Sequence, residues 1–302
     1  MSKFTISTIF SGIGGVEFGA KWLGVRPIWS VERDPKVSCL HMANHDSFHR
    51  TASVEDVNPN ELDRPDILWA SPPCQSFSRG RDASLPEHES HDAGLSVVPY
   101  IRILKPDAFV LENVPGYIWK ESPLYQIIDV LQEMQYFVWY GVLDAADLGV
   151  AQNRKRLILI ASRNLVRPVY KSLRIGWWDV IKPSHLYRTD MSDAISAVFQ
   201  RQRLPDNALI DTQYSCRDTD SPRKVTVRTP DKPSFTICRS HHKRSVYVRR
   251  GGTTFKLLPE GFAALQSFDD SLVLPHSRQL AVACIGDAVP PKMVERVLEC
   301  VI

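Results

Sequence analysis

Residues 5–32 read TISTIFSGIGGVEFGAKWLGVRPIWSVE. TISTIF is β-rich, and SGIGG interrupts it with glycines that let a backbone turn sharply and approach a ligand closely. VEFGAKWLG follows with helical spacing of its apolar residues, and RPIWSVE reads as a second strand ending on an acid, Glu32. Strand, glycine turn, helix, strand and terminal acid form the opening of a nucleotide-binding α/β unit. The turn departs from the dinucleotide fingerprint: counted from Gly12, Glu17 stands where the third glycine of G-x-G-x-x-G belongs. Alone, Gly12, Gly14 and Gly15 fit a tight structural turn equally well. With Glu32 placed where this fold holds ribose hydroxyls, they favour an adenosine-containing ligand. Asp56, in SVEDVN, is expected at the end of a third strand, either accepting from an adenine amino group or forming a turn.

Beyond this unit, DILWA (66–70) and DAFVLEN (107–113) are apolar runs each entered through Pro-Asp. SPLYQIIDVLQEMQ is helical, and FVWYGVLDA and RLILIAS form a late pair of strands. The expected fold is therefore α/β, a Rossmann-like doubly wound sheet over residues 1–163. The chain is expected to return to that domain from about residue 281 to 302, ending in the amphipathic helix PPKMVERVLECV with Pro291 near its start. Between them, from 164 to about 280, prolines, polar residues and short β-like runs predict a smaller, irregular β-rich domain. FKLLPEGFAALQSF within it is expected to be helical.

Composition narrows the class. Among 302 residues, 43% hydrophobic and 24% charged places the chain with ordinary globular proteins. MSKFTISTIF lacks the apolar stretch of a signal peptide, and no run is long enough to span a bilayer, so a cytoplasmic address is expected. Six cysteines without a CxxC pair argue against a zinc ribbon. The segment from Arg217 to Arg250 carries ten Lys/Arg against three Asp, while the rest of the chain is net −4. That asymmetry fits a polyanion contacted by one region, or a solvated basic face. His41, His45 and His49 recur every four residues. The spacing permits metal binding, but no matching ligand cluster is evident, so an exposed helix face and no metal are expected. His241 and His242, in RSHHKRSVYVRR, are expected on phosphate or in a solvated turn.

Four further segments carry chemistry: PPCQSFS around Cys74, ENVPG from Glu112, QNRKR from Gln152 to Arg156, and GDAVPP from Gly286. With FSGIGG and the late LQSF they resemble, in order and over nearly the whole chain, the DNA (cytosine-5-)-methyltransferase family. The resemblance implies an S-adenosylmethionine-dependent methyltransferase sheet, with the 164–280 region as target recognition domain. It implies cofactor contacts from Phe10, Gly12, Gly14, Glu32, Asp56, Pro73, Asp287 and Val289. Three positions depart from the family's habit: Thr8, where an acid is frequent; Arg33, where an aromatic is frequent; and Asp287, where Asn is usual. Asp287 removes an amide donor and adds charge.

The chemistry explains the residue types. Carbon 5 of cytosine is too electron-poor to attack a methyl sulfonium. Addition of a thiolate at carbon 6 makes an enamine and turns carbon 5 nucleophilic, a step for which cysteine is well suited. Cys74 is the expected nucleophile, its backbone restricted by Pro72 and Pro73. The resemblance assigns Glu112 to ring nitrogen 3 and the amino group. It assigns Arg154 and Arg156, which alternate into a strand and so are expected to point the same way, to the base carbonyl, a phosphate and the acid. Two arginines before LILIA also fit a strand-end solubility device. Because carbon 5 is inaccessible in a stacked duplex, the cytosine must be flipped out. The polar segment SRGRDASLPEHESHDAG is expected to close over it. Gln75, Ser78, Arg79, Arg81, Arg239, Lys243 and Arg244 are expected to face DNA, with phosphate contacts giving a salt-dependent affinity.

The expected enzyme is a bacterial or phage methylase acting as a monomer on double-stranded DNA. It is either solitary or partnered with a restriction endonuclease of the same site. Two alternatives stand beside it. One is a tRNA methyltransferase of the same family, faintly echoed by SFTIC (234–238). The other is a non-catalytic DNA-binding regulator, disfavoured because Cys74 and Glu112 are both kept.

Overall fold

A computed structural model describes residues 3–73, 92–119, 122–164, 173–188, 205–215 and 218–302, with 213–224 as backbone. The chain divides into two compact units, one of residues 1–144, 155–171 and 289–302, the other of 145–154 and 172–288.

The first unit is built on a seven-stranded sheet in the order β3-β2-β1-β4-β5-β7-β6. Its strands are β1 (Thr5–Ile9), β2 (Arg26–Glu32), β3 (Phe48–Thr51), β4 (Ile67–Ala70), β5 (Ala108–Asn113), β6 (Phe137–Asp144) and β7 (Lys155–Ser162). The first five are parallel, and β7 runs antiparallel to both β5 and β6. β4 and β5 are buried along their whole length, as continuous apolar runs in a sheet covered on both faces must be. The first Pro-Asp entry has a structural role: the Asp66 carboxylate accepts from both the Thr5 amide and its hydroxyl at 2.7 Å, pinning β1 to β4.

Helix α1 (Gly15–Trp22) leaves the glycine turn, and α2 (Pro35–Asn44) follows β2 with Asp34 capping its first amides. Helices α3 (Val97–Leu104) and α4 (Leu124–Glu133) bury Tyr100, Ile101, Ile127 and Leu131 in the core formed with Leu68, Phe109 and Leu159. The chain's last helix belongs to this unit and starts on Pro291. It packs on α1 so closely that a Cβ on Gly19 would meet the Pro291 carbonyl at 2.4 Å.

The second unit carries a five-stranded antiparallel sheet in the order β10-β9-β11-β12-β8. The strands are β8 (Leu186–Arg188), β9 (Ala208–Ser215), β10 (Asp218–Arg228), β11 (Ser245–Arg250) and β12 (Thr253–Leu257). The segment FKLLPEGFAALQSF is not helical throughout. Phe255–Leu257 belong to β12, and the helix, α5 (Pro259–Leu265), begins where Pro259 supplies its first turn. Helix α6 (Arg278–Asp287) completes the unit, and α7 (Pro291–Leu298) is the last helix of the chain. Among the described residues, no helix is long and apolar enough to cross a membrane.

Candidate active site

Strands β1 and β4 are neighbours, but the chain leaves β1 towards β2 and leaves β4 towards β5. The crevice outside the carboxyl ends at such a switch point is where open α/β sheets bind ligands. Four sequence-predicted segments end there: Phe10–Gly15 after β1, Glu32 closing β2, Ser71–Pro73 after β4, and Glu112–Asn113 closing β5.

The glycine turn is over-determined. Phe10 sits in the left-handed region at φ 58°, which costs an L-residue roughly 1–2 kcal/mol. The Ser11 amide bonds the Val31 carbonyl at 3.0 Å and the Gly14 amide bonds the Ser11 carbonyl at 3.1 Å, holding that geometry. Gly14 and Gly15 are required by packing: a Cβ on Gly14 would lie 1.9 Å from His45 Nε2, and one on Gly15 2.2 Å from the Val289 carbonyl. Gly12, left-handed at φ 56°, differs because nothing lies within 4 Å of its missing Cβ. The Gly12 amide donates to Glu32 Oε2 at 3.1 Å, and the Asp34 amide donates to Oε1 at 2.9 Å. The half-exposed Glu32 carboxylate is thus oriented beside the one open glycine of the turn. This acid, the turn and the open approach fit an adenosine-containing ligand.

Asp56 does not end a strand. β3 stops at Thr51, and exposed Asp56 closes a 3-10 turn (Val54–Asp56). The Tyr100 hydroxyl anchors that turn on the Val54 carbonyl at 2.8 Å.

The histidine face is buried, not exposed. His41 is 0% and His45 4% accessible, and His49 lies on β3 rather than on the helix. His41 and His45 pack under the glycine turn beside Glu17 of α1, and the three bring ligand-type atoms within 4.8 Å of one another. Sequence spacing could not reveal Glu17 as the third member, since it comes from another helix. Hydrogen-bond directions define what the cluster does. His41 Nδ1 faces the Gly12 carbonyl at 3.1 Å and must carry the proton. Its Nε2 then accepts from the Ser30 hydroxyl at 2.9 Å, and Ser30 accepts from His49 Nδ1 at 2.8 Å. Lys21, which can only donate, lies 3.2 Å from His45 Nδ1, so that nitrogen accepts and Nε2 carries the proton. The result is a directed relay, His49 to Ser30 to His41 to Gly12, that fixes the turn from below. Burial pulls His41 down to about 4 and His45 to about 3, keeping both neutral.

Burial pushes Glu17 the other way, to about 7, against the hydrogen bond from Thr8. Its Oε2 finds no hydrogen-bond partner among the described residues. A folded-state value above the ordinary 4.5 means this group's stabilisation is complete below pH 4.5 and is lost as pH rises through 7. Glu17→Gln should therefore become more stable relative to the parent between those limits, by a difference on the order of 3 kcal/mol. Melting curves of both proteins across that range check it; a constant difference in Tm would contradict the assignment.

At the other end of the crevice, Glu112 is 7% exposed and Arg156 Nε meets its Oε1 at 2.8 Å. Asn113 turns back: its side chain donates to the Pro72 carbonyl at 3.0 Å and accepts from the Val114 amide at 2.8 Å. The Ser71 amide bonds the Ile9 carbonyl at 3.3 Å. The loop that leads into Cys74 is thus tied both to β1 and to the strand that carries Glu112.

Arg154 and Arg156 do not share a partner. β7 begins at Lys155, and Arg154, 1% exposed, belongs to the second unit. Its guanidinium donates to the Ile237 carbonyl at 2.7 Å and to those of Gly286 and Ala288 at 3.0 Å. Two residues not singled out by sequence join it. The Gln152 side chain accepts from the Ile237 amide at 2.8 Å and donates to Gln266, which donates to the carbonyls of Ile285 and Ala288 at 3.1 and 2.7 Å. The runs QNRKR, SFTIC, LQSF and GDA thereby meet around buried amides. Their presence in recognised motifs was the available signal, but not their pairing.

Asp287 is paired: Arg239 Nη1 meets its Oδ2 at 2.5 Å. The extra charge at the Asn-to-Asp departure is thus matched within the same unit, by a residue expected on DNA. Lys243 is exposed, and Arg244 lies 3.7 Å from Asp211. His241 is buried at 1% exposure and not in a solvated turn. Cys74, Gln75, Ser78, Arg79 and Arg81, with the segment expected to close over the base as far as His91, lie outside the described residues; its last three residues, Asp92–Gly94, are helical.

A family model described as C-5 cytosine-specific DNA methylase matches residues 4–302. The Type II methyltransferase M.FnuDI of Fusobacterium nucleatum is 32% identical over 324 residues, covering 94% of this chain and 90% of that protein. M.BsuFI of Bacillus subtilis, also a Type II methyltransferase, is 25% identical, covering 98% and 71%. In fold, the chain is similar to the S. pombe Dnmt2 methyltransferase, with a TM-score of 0.69 at 13% identity over 99% and 98% of the two chains.

Proposed function

The chain belongs to the C-5 cytosine-specific DNA methylase family, and we propose that it methylates carbon 5 of a flipped-out cytosine in a specific short sequence of double-stranded DNA, through a covalent Cys74 adduct. The observation that carries this reading is the buried Glu112–Arg156 pair at 2.8 Å, at the carboxyl end of β5, beside the anchored Pro72 that leads into Cys74.

Glu32 would hold the ribose hydroxyls of S-adenosyl-L-methionine, with Phe10, Gly12, Gly14, Asp56, Pro73, Asp287 and Val289 completing its site. When bound, that cofactor supplies an electrophilic methyl group on a sulfonium. The Cys74 thiolate adds to carbon 6 of the base. Glu112 engages nitrogen 3 and the amino group, where charge grows as sulfur bonds, and a proton can pass at its Oε atoms. Arg156 fixes the rotamer of that carboxyl and supplies the compensating positive charge. Arg154 acts at a distance in this reading: it positions the Ile237–Arg239 segment and the end of α6 rather than touching the base. After methylation, loss of the proton on carbon 5 and of the thiolate from carbon 6 releases the product.

The second unit, rich in Lys and Arg, serves as target recognition domain. Gln75, Ser78, Arg79, Arg81, Lys243 and Arg244 meet DNA, while Arg239 divides its charge with Asp287. The curated relatives are Type II methyltransferases, which supports a restriction–modification role with a cognate endonuclease. The enzyme acts as a cytoplasmic monomer.

Incubation with radiolabelled methyl donor tests the substrate. Label should enter duplex DNA and not tRNA, and bisulfite sequencing of DNA from expressing cells should show one short protected motif. Label in tRNA alone would move the enzyme to the RNA branch of the family.

A further inference from the structure

The second unit contains a thiol, an imidazole and a carboxylate in series, which the methyl transfer does not use. Cys238 Sγ lies 3.2 Å from His241 Nδ1 and 3.2 Å from Ser240 Oγ. On the far side of the ring, His241 Nε2 faces Asp211 Oδ2, on β9, at 3.5 Å. The ring cannot swing away. It stacks on Phe235 with centroids 5.6 Å apart and planes 2° from parallel, and meets Phe262 edge-on at 6.2 Å. His241 and Asp211 are 1% and 2% exposed, whereas Cys238 is part-exposed, so the thiol-bearing residue borders solvent while its base does not.

An imidazole that meets sulfur through one nitrogen and faces an acid at ion-pair distance through the other, with no hydrogen bond between them, is placed to take the thiol proton and to be stabilised as the cation. Asp211 Oδ1 has no hydrogen-bond partner among the described residues, so its charge is available to the imidazolium. Arg244, at 3.7 Å, neutralises it only in part. The Cys238 amide also points at Nδ1, at 3.1 Å, and competes for its lone pair. When Nδ1 gains a proton, the Cys238 carbonyl at 3.2 Å accepts it, which offsets the loss.

We propose that Cys238 is a second activated thiol, a covalent modification site for small uncharged electrophiles of the hydroperoxide class, with His241 as its base and Asp211 orienting that base. In the step, His241 takes the thiol proton and the sulfur attacks the terminal oxygen of the hydroperoxide. The S–O bond forms as the O–O bond breaks. Sulfur is oxidised to a sulfenic acid, and the leaving oxygen collects the proton from His241 as an alcohol or water. Burial opposes the thiolate, but the His241 hydrogen bond and charge outweigh it and bring Cys238 down to about 7. Burial likewise opposes the imidazolium, but Asp211 and the thiolate raise His241 to about 9. The charged and titratable groups around the sulfur are His241, Asp211 and Arg244. Arg239, the adjacent residue, is turned to Asp287.

The test is a short iodoacetamide pulse on the native full-length protein, read cysteine by cysteine by peptide mass spectrometry. At neutral pH Cys238 should label about ten-fold faster than exposed Cys39, and His241→Gln should lower that rate about ten-fold without changing Cys39. Dilute hydrogen peroxide followed by dimedone should mark Cys238 and not Cys39. A Cys238 rate at or below that of Cys39, or one unchanged in His241→Gln, overturns the proposal. Should the variant label buried Cys284 as fast as Cys39, it has unfolded. The pH profile of Cys238 in the parent then decides, with a midpoint near 7 supporting activation and one at the ordinary thiol value refuting it.

Discussion

Cys74→Ser should lower methyl transfer to duplex DNA about 10³-fold or more while leaving DNA binding intact or tighter. The change keeps the size of the side chain and replaces a thiol with a hydroxyl, which is far less acidic and less nucleophilic. Without a thiolate no bond forms at carbon 6, the ring never becomes an enamine, and carbon 5 stays too electron-poor to take a methyl group. The backbone before Cys74 does not depend on the sulfur. It is held by the Ser71–Ile9 bond at 3.3 Å and the Asn113–Pro72 bond at 3.0 Å. The variant should therefore fold and bind. Single-turnover assays with labelled donor, together with gel shifts on the same duplex, measure both quantities. Turnover within ten-fold of the parent would remove Cys74 from the chemistry.

Glu112→Gln should cost about 10²- to 10³-fold in the same assay, with little change in cofactor affinity. The amide preserves shape at a site 7% exposed, but cannot pass a proton and loses the ion pair with Arg156 at 2.8 Å. Because the acid and the arginine act as one unit, Arg156→Gln alone should be strongly impaired, and adding it to Glu112→Gln should cost little more. Calorimetric titration of the cofactor into each variant separates the roles. A large loss of cofactor affinity with normal covalent addition would assign Glu112 to the other end of the crevice. Two independent losses that multiply in the double variant would show that the acid and the arginine do not act as one unit.

Much of the first unit was legible because its signals are local. TISTIF, SGIGG, the helical VEFGAKW and RPIWSVE each declare their element through periodicity and turn chemistry, and the structure places them in that order. The acid Glu32 was legible for the same reason: it is the last residue of a strand whose neighbour ends in the glycine turn. What stayed hidden depends on partners distant in sequence. The four-residue spacing of His41 and His45 is correct, but spacing cannot say which face of α2 turns inward. That follows from Gly12, Ser30 and Glu17, which the sheet order brings beneath the same turn. Arg154 and Arg156 obey the strand alternation on paper, yet β7 starts between them and Arg154 is drawn to three carbonyls from far along the chain. Asp287 looked like an uncompensated charge because Arg239, its partner, lies 48 residues earlier. Asp56 missed its strand end because β3 is only four residues long and a 3-10 turn intervenes.

One experiment bears on the covalent step itself. A duplex carrying 5-fluorocytosine at the methylated position should, with S-adenosyl-L-methionine present, trap the protein as a complex that survives denaturing electrophoresis. Peptide mapping should place the bond on Cys74, because fluorine replaces the proton whose loss releases the enzyme. A protein that methylates the ordinary duplex yet yields no such adduct, or yields it at another residue, would contradict the mechanism.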